Sequence, residues 1–242
     1  MLRLIKDFIR SLRIAILHLI YRCRPVLPLS DNAVIIAPHP DDEVIGCAGL
    51  ILALVERGTP PHVIILTGGE GSHRGCCDTS AEEIIAARHQ LTLKAAATLG
   101  LPESHIHCLH YPDGGVALEH PATERLRELL AQLSPKALFV PHHGEGWSDH
   151  LQAAEITKRL IAGKDAAIYE YCVWMWYYNV WRLDRKNAYV LRMSRVLYQR
   201  KLRAMEQYVT PLAPCGKPWS GVLPKPFLKA ACWDKELFFL VR

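Results

Sequence analysis

The residues with the most chemical capacity stand in two short turns. The first reads Pro38-His39-Pro40-Asp41-Asp42-Glu43. It offers an imidazole and two carboxylates within four residues, a partial metal-ligand set that lacks a third ligand. The two prolines fix the backbone so that His39 and Asp42 converge while Asp41 points elsewhere. Capping alone also favours a carboxylate such as Asp42 where a helix begins. The second turn reads Pro141-His142-His143-Gly144-Glu145-Gly146-Trp147-Ser148-Asp149-His150. Two nitrogens and one carboxylate oxygen suit zinc, with a position left open for water. A remaining carboxylate nearby is placed to take a proton from that water.

These turns need a scaffold that brings them together, and the sequence supplies one. Apolar runs at Ala33–Ala37, His62–Thr67, His105–Tyr111, Ala137–Val140 and Ala167–Met175 read as strands. Helical patterns at Val44–Arg57, Ala81–Leu99, Thr123–Leu133 and Asp149–Ala162 separate them. Regular alternation of this kind predicts an α/β fold: a Rossmann-like, mostly parallel sheet with helices on both faces. Ligands in such folds bind beyond the carboxyl ends of the strands, which is where both turns lie. The divisions expected are an amphipathic helix and linker at 1–31, a catalytic α/β body at 32–181, and a C-terminal extension of the same domain at 182–242. That extension, rich in aromatics and then in prolines, is read as the wall of a pocket. The aromatic stretch 169–181 reads first as core, with one or two rings as candidates to stack on a sugar.

PHPDDE after the first strand, with an aspartate–histidine pair opening a late helix, resembles the LmbE-like, or PIG-L, family of zinc-dependent N-acetylglucosaminide deacetylases. The similarity runs from about Asn32 to Ile161 and includes LTGGEGS at 66–72, the arginine-led helix at 88–100, and YPDGG at 111–115. The resemblance implies one zinc per chain, held by His39, Asp42 and His150. It implies that Asp41 is the general base, that Arg88 and Asp113 line a sugar site, and that Asp149 orients the ligand beside it. The family pattern has a histidine where this chain has Trp147, and an acid where it has Gly68. Either His142 or His143 is then expected to supply an imidazole from farther back in the turn, with His143 taken as the catalytic candidate, or zinc acts as the main electrophile. The function implied is hydrolysis of the N-acetyl group of an N-acetylglucosamine-type sugar, on a glycoconjugate or a lipid. A non-catalytic sugar- or lipid-binding protein on the same scaffold is the alternative that Trp147 keeps open.

Composition bounds the rest. Of 242 residues, 50% are hydrophobic and 22% charged, which excludes a disordered or collagen-like chain. The net charge of +5 is unevenly spread. Residues 1–25 carry six basic side chains against Asp7, and 182–203 carry eight against Asp184, so the remainder is acidic. The basic stripe Arg3, Lys6, Arg10, Arg13 lies on a helical pattern over 2–21 whose uncharged run is too short to span a bilayer. Two readings stand for that helix: it lies on an anionic membrane surface, or it packs on the domain or a partner chain. The two basic segments are expected on one side of the molecule. No nucleotide-binding glycine loop follows the first strand, and no nucleic-acid partner is expected.

The eight cysteines form no C-x-x-C pair, which argues against a zinc ribbon or thioredoxin-like site, and those in apolar runs, such as Cys47 and Cys172, read as buried free thiols; this favours a reducing compartment and a cytoplasmic protein, peripheral on the membrane's inner face under the first helix reading. His73, Cys76 and Cys77 are read as part of a mobile loop, because adjacent cysteines chelate poorly. His105, His107 and His110 are read as ordinary strand and rim histidines.

Overall fold

The computed structural model describes residues 2–75, 77–178 and 184–241. Cys76, named above, lies outside the described residues, as do positions 181 and 182, where the expected α/β body and its extension meet, and the side chains of Leu2 and Arg3. The described elements run α1 (Leu2–Tyr21), β1 (Ala33–Ala37), α2 (Asp42–Glu56), β2 (His62–Thr67), α3 (Ala81–Leu99), β3 (Ile106–Tyr111), α4 (Ala122–Leu133), β4 (Ala137–Pro141), α5 (Ser148–Leu160), β5 (Ala167–Tyr171), β6 (Ala188–Arg192), α6 (Arg195–Val209), α7 (Lys225–Ala231) and β7 (Lys235–Leu240).

Seven strands form one sheet in the order β3-β2-β1-β4-β5-β7-β6. The first five are parallel, and β7 runs antiparallel to both of its neighbours. The expected Rossmann-like α/β architecture is therefore present. The fully apolar β1 is central and buried on both sides, as a parallel strand must be. Its alternation divides the core. Ala33, Ile35 and Ala37 face the layer of α2, α3 and α6, while Val34 and Ile36 face α4 and α5.

Local signals explain the element ends. Ser80 and Glu83 form a reciprocal capping box at the start of α3, and Gly100 closes that helix in the left-handed region. Asp42 and Glu43 sit in the first turn of α2, where carboxylates offset the helix dipole, so α2 starts two residues before the expected Val44. β5 ends at Tyr171, four residues short of the expected Met175, because the chain turns there into a short 3-10 segment, Trp174–Trp176.

The segment after 184 supplies more than a pocket wall. It adds β6 and β7 to the sheet, and β7 inserts between β5 and β6. The buried pair of Lys201 Nζ and Glu236 Oε1, 3.0 Å apart, ties α6 to β7. Glu236 also accepts from the backbone N–H groups of Gly49 and Leu50, so neither charge is left without partners in the core.

The helix α1 is one-sidedly attached. Arg13, Ile14, Leu17 and Tyr21 are buried against the body, with Arg13 Nη2 donating to the carbonyl of Trp176. Leu4, Phe8, Leu12 and Leu19 point outward, each more than half exposed. No helix among the described residues is long and apolar enough to cross a membrane.

Candidate metal centre

In this sheet β1 lies between β2 and β4, so the chain winds outward in opposite directions from it. Crevices form at such switch points. The turn after β1 and the turn after β4 open into the same one, a cavity of about 340 Å³ lined by both.

Within it, Asp42 is the meeting point of two imidazoles. Its Oδ2 lies 3.3 Å from His39 Nδ1 and 3.3 Å from His150 Nε2. The backbone N–H of His39 also donates to Oδ2 at 2.9 Å. His150 is fully buried, and neither of its ring nitrogens makes a well-directed hydrogen bond, although carboxylate oxygens approach both. Burial works against charge at all three residues. Even so, the imidazoles hold Asp42 well below the usual carboxylate range, and the carboxylates raise His150 to about 9 and His39 well above its ordinary value. A buried site that draws protons onto its histidines in this way is built for positive charge. Nitrogen, oxygen and nitrogen donors, converging within 4.8 Å, fit a zinc ion.

The other nitrogen of His39, Nε2, faces Asp113 Oδ1 at 3.3 Å and Asp149 Oδ2 at 3.4 Å. Both carboxylates are themselves fixed. Gly71 N–H donates to Asp113 at 2.8 Å, and the N–H groups of Gly114 and Val116 donate to Asp149. The imidazole is thus oriented from behind, the arrangement that raises the basicity of a metal-binding histidine. Asp149 was expected to orient its neighbour His150; it orients His39 instead. Glu145 occupies the place beside His150, 3.2 Å from Nδ1. Glu145 is buried and accepts from the N–H groups of Val173, Trp174 and Met175. Those groups exist because β5 ends early, which no signal near Glu145 announces.

Asp41 faces the same cavity. Its φ of 126° is a left-handed conformation rare outside glycine and costs about 1–3 kcal/mol. Four hydrogen bonds hold it. Its N–H donates to Glu43 Oε2 at 3.0 Å, its carbonyl accepts from Val44 and Ile45, and Arg88 Nη2 reaches its Oδ2 at 3.2 Å. Glu43 is anchored in turn by the hydroxyl of Tyr208 at 2.5 Å. Burial pushes the Asp41 carboxyl up to about 7 against the pull of Arg88.

Arg88 and Asp113 both line the cavity. Arg88 is nevertheless buried and also committed to the carbonyls of Gly69 and Pro40, so it braces Asp41 more than it reaches outward. The glycines before it have a steric reason. A Cβ on Gly69, at φ +70°, would sit 2.2 Å from Arg88 Nη1, and one on Gly68 would sit 2.4 Å from Ile85. The acid that the family pattern has at position 68 finds no room here.

His143 does not join this site. It is not among the cavity-lining residues; its Nδ1 lies 2.6 Å from Glu170 Oε2 and its side chain is 69% exposed. His142 is buried, its Nδ1 accepting from the N–H of Gly144, and burial lowers it to about 4. The expectation that one of these two supplies a catalytic imidazole is therefore corrected. Glu170, which the sequence reading passed over, draws His143 toward the far side of β5. Trp147 does line the cavity and stands edge-on to Trp174, ring centres 5.7 Å apart.

Residues 34–161 match the family described as GlcNAc-PI de-N-acetylase, PIG-L. The chain belongs to the PIG-L family. A deacetylase of 1D-myo-inositol 2-acetamido-2-deoxy-alpha-D-glucopyranoside from Corynebacterium glutamicum is 34% identical over 150 residues, 52% of this chain and 51% of the relative. The chain thus spans about half the length of the curated relatives it matches. Among solved structures, an N,N'-diacetylchitobiose deacetylase from Pyrococcus horikoshii superposes with a TM-score of 0.59 at 21% identity, covering 75% of this chain and 73% of that one. The A40926 pseudoaglycone deacetylase Dbv21 reaches 0.67 at 15% identity, covering 87% and 96%. At these identities the two structures speak for the fold alone.

Proposed function

We propose that this PIG-L family member is a zinc-dependent hydrolase that removes the N-acetyl group from an N-acetylglucosamine-type amino sugar. The observation that carries the reading is the convergence of His39 Nδ1 and His150 Nε2 on Asp42 Oδ2 at the floor of a cavity that Asp41 also lines. Curated relatives that act on an inositol-linked N-acetylglucosamine support the substrate class. Bound there, zinc supplies a Lewis acid for the amide carbonyl and lowers the pKa of water.

The chain's own residues do the remainder. Asp41 accepts a proton from the attacking water. The same carboxyl, once protonated, is placed to return that proton to the departing amine. One carboxyl therefore serves both steps, and the histidine missing at Trp147 is not needed for proton balance. Arg88 holds Asp41 in its strained conformation. Asp113 and Asp149 keep His39 turned toward Asp42. Trp147 and Trp174 offer apolar faces on which a pyranose ring rests. Acetate release from a panel of N-acetylglucosaminides, with and without chelator, tests the reading. A protein that binds zinc and sugar yet frees no acetate would leave the non-catalytic binder as the better description.

For location, we propose that α1 rests on an anionic lipid surface. Its outward face is apolar, and the two basic segments meet beside it. Arg24 Nη1 reaches the carbonyl of Arg185, and Arg192 Nη2 reaches those of Arg22 and Arg24. Basic groups at such a surface contribute about 1 kcal/mol each. Arg13 and Lys201 are not among them, the first buried against the carbonyl of Trp176 and the second with Glu236. Deleting residues 1–24 would strip Ile14, Leu17 and Tyr21 from the core, so substitution is the cleaner test. Vesicle flotation should show recovery with anionic but not neutral vesicles, lost in Phe8→Ser/Leu12→Ser. Equal recovery with both vesicle types would defeat the proposal.

A further inference from the structure

A second cluster of metal-binding groups lies apart from the His39–Asp42–His150 centre. His73 ends the short 3-10 turn Glu70–His73 that follows β2, and it is 2% exposed. Its Nε2 lies 3.0 Å from the carbonyl oxygen of Pro218, and its ring meets Trp219 edge-on. A carbonyl only accepts, so Nε2 is the donor in that contact, and Nδ1 is the nitrogen turned toward two thiols. Cys215 Sγ is 3.5 Å from Nδ1 and Cys77 Sγ is 3.8 Å from it. The three atoms lie within 4.8 Å of one another, although Cys215 is 142 residues from His73 along the chain.

We propose that His73, Cys77 and Cys215 hold a second, structural zinc ion. Zn–S bonds of about 2.3 Å and Zn–N bonds of about 2.0–2.1 Å at tetrahedral angles separate sulfur from nitrogen by about 3.5 Å. The observed spacing is already close to that. Thiolate and imidazole together select zinc over the hard cations. The carbonyl behind Nε2 is the orienting partner that metal-bound histidines have. These residues supply three of the four tetrahedral positions. The proposal does not depend on the deacetylase reading, since none of these residues lines the cavity.

The ion would act as a staple. The segment it anchors holds Asp113 through the N–H of Gly71 and contributes Ser72 and Arg74 to the cavity. The segment around Cys215 contributes Ser220 to the same cavity. Only one side-chain bond, Ser72 Oγ to the carbonyl of Trp219 at 3.0 Å, is seen between these segments besides those of the cluster, among the described residues. A metal at His73 would lock the two walls together, and the sequence expectation of a mobile loop would hold only for the metal-free protein.

Metal analysis and cobalt exchange on the full chain test this. The His39→Ala/His150→Ala variant, stripped of the cavity site, should keep about one zinc per chain, and on cobalt exchange it should show thiolate-to-cobalt charge-transfer absorption. Adding Cys215→Ser to it should abolish both. Because that triple variant risks misfolding, the cobalt spectrum of the unmutated chain is decisive by itself. Absence of a thiolate band there, or recovery of a Cys77–Cys215 disulfide by non-reducing peptide mapping of protein purified under reducing conditions, would overturn the proposal.

Discussion

The turn after β1 and the turn after β4 carry similar residues and use them differently. In the first, His39, Asp41 and Asp42 all face the cavity, and Glu43 supports the backbone from behind. In the second, the two leading histidines turn away toward Glu170, and the later residues serve the site: Glu145, Asp149 and His150 at the ligand cluster and Trp147 on the cavity wall. The first turn is clamped by prolines and by the start of α2. The second is longer and glycine-rich, and its side chains go where partners on β5 and beyond take them. Residue type tells which chemistry is available, and the partners behind a side chain decide whether it is used.

The contrast predicts a graded series. The largest effect belongs to the shared ligand. Asp42→Ala should lose the cavity zinc and, with it, several kcal/mol of transition-state stabilisation, a loss of about 10³-fold or more in kcat/KM. Zinc stoichiometry and acetate release are the measurements. Asp41→Asn should keep the metal and lose about 10²–10⁴-fold in kcat. If it loses zinc instead, Asp41 is a ligand and the division of labour in the first turn is wrong.

The second turn gives smaller effects. Glu145→Gln should weaken zinc binding by about 10–100-fold, as the loss of an orienting carboxylate does. His143→Ala should leave zinc affinity and kcat unchanged, and a loss comparable to that of Asp41→Asn would restore His143 to the mechanism. The smallest effect concerns stability. His142 is held neutral in the folded protein down to about pH 4, while in the unfolded chain it protonates near 6.5. Its contribution is constant above 6.5, falls as pH drops from 6.5 to about 4, and is fully lost below that. Melting temperatures across this range should decline, and less steeply in His142→Asn. Some decline should remain, since His18 and His62 are likewise lowered to about 4 by burial.

Much of this was legible in advance where the signal is local. The bounds of α1, β2 and α3 follow from periodicity, a capping serine and a closing glycine, and they agree with the structure. The convergence of His39 and Asp42 in the first turn was legible for the same reason, since a strand, two prolines and a helix start leave the chain little choice. What escaped depends on distant partners. Glu43 is explained only by Tyr208, 165 residues away, and Glu145 only by the backbone of 173–175. The strands β6 and β7 escaped because the aromatic and proline-rich composition around them masks two runs of five and six residues. Cys215 carries no sequence signal of its own, because His73 meets it only in three dimensions.

The insertion of β7 between β5 and β6 also sets a timetable. On the ribosome, β5 emerges with an unpaired edge, and the strand that covers it is the last of the seven to be made. At about 5–20 residues per second that edge waits several seconds, with Tyr169 and Tyr171 flanking it. An exposed, apolar strand edge invites pairing with another nascent chain. Cells that synthesise this protein quickly should therefore need chaperone cover for residues 167–171, and chains that stop before Lys235 should aggregate even though both turns of the metal centre are already complete.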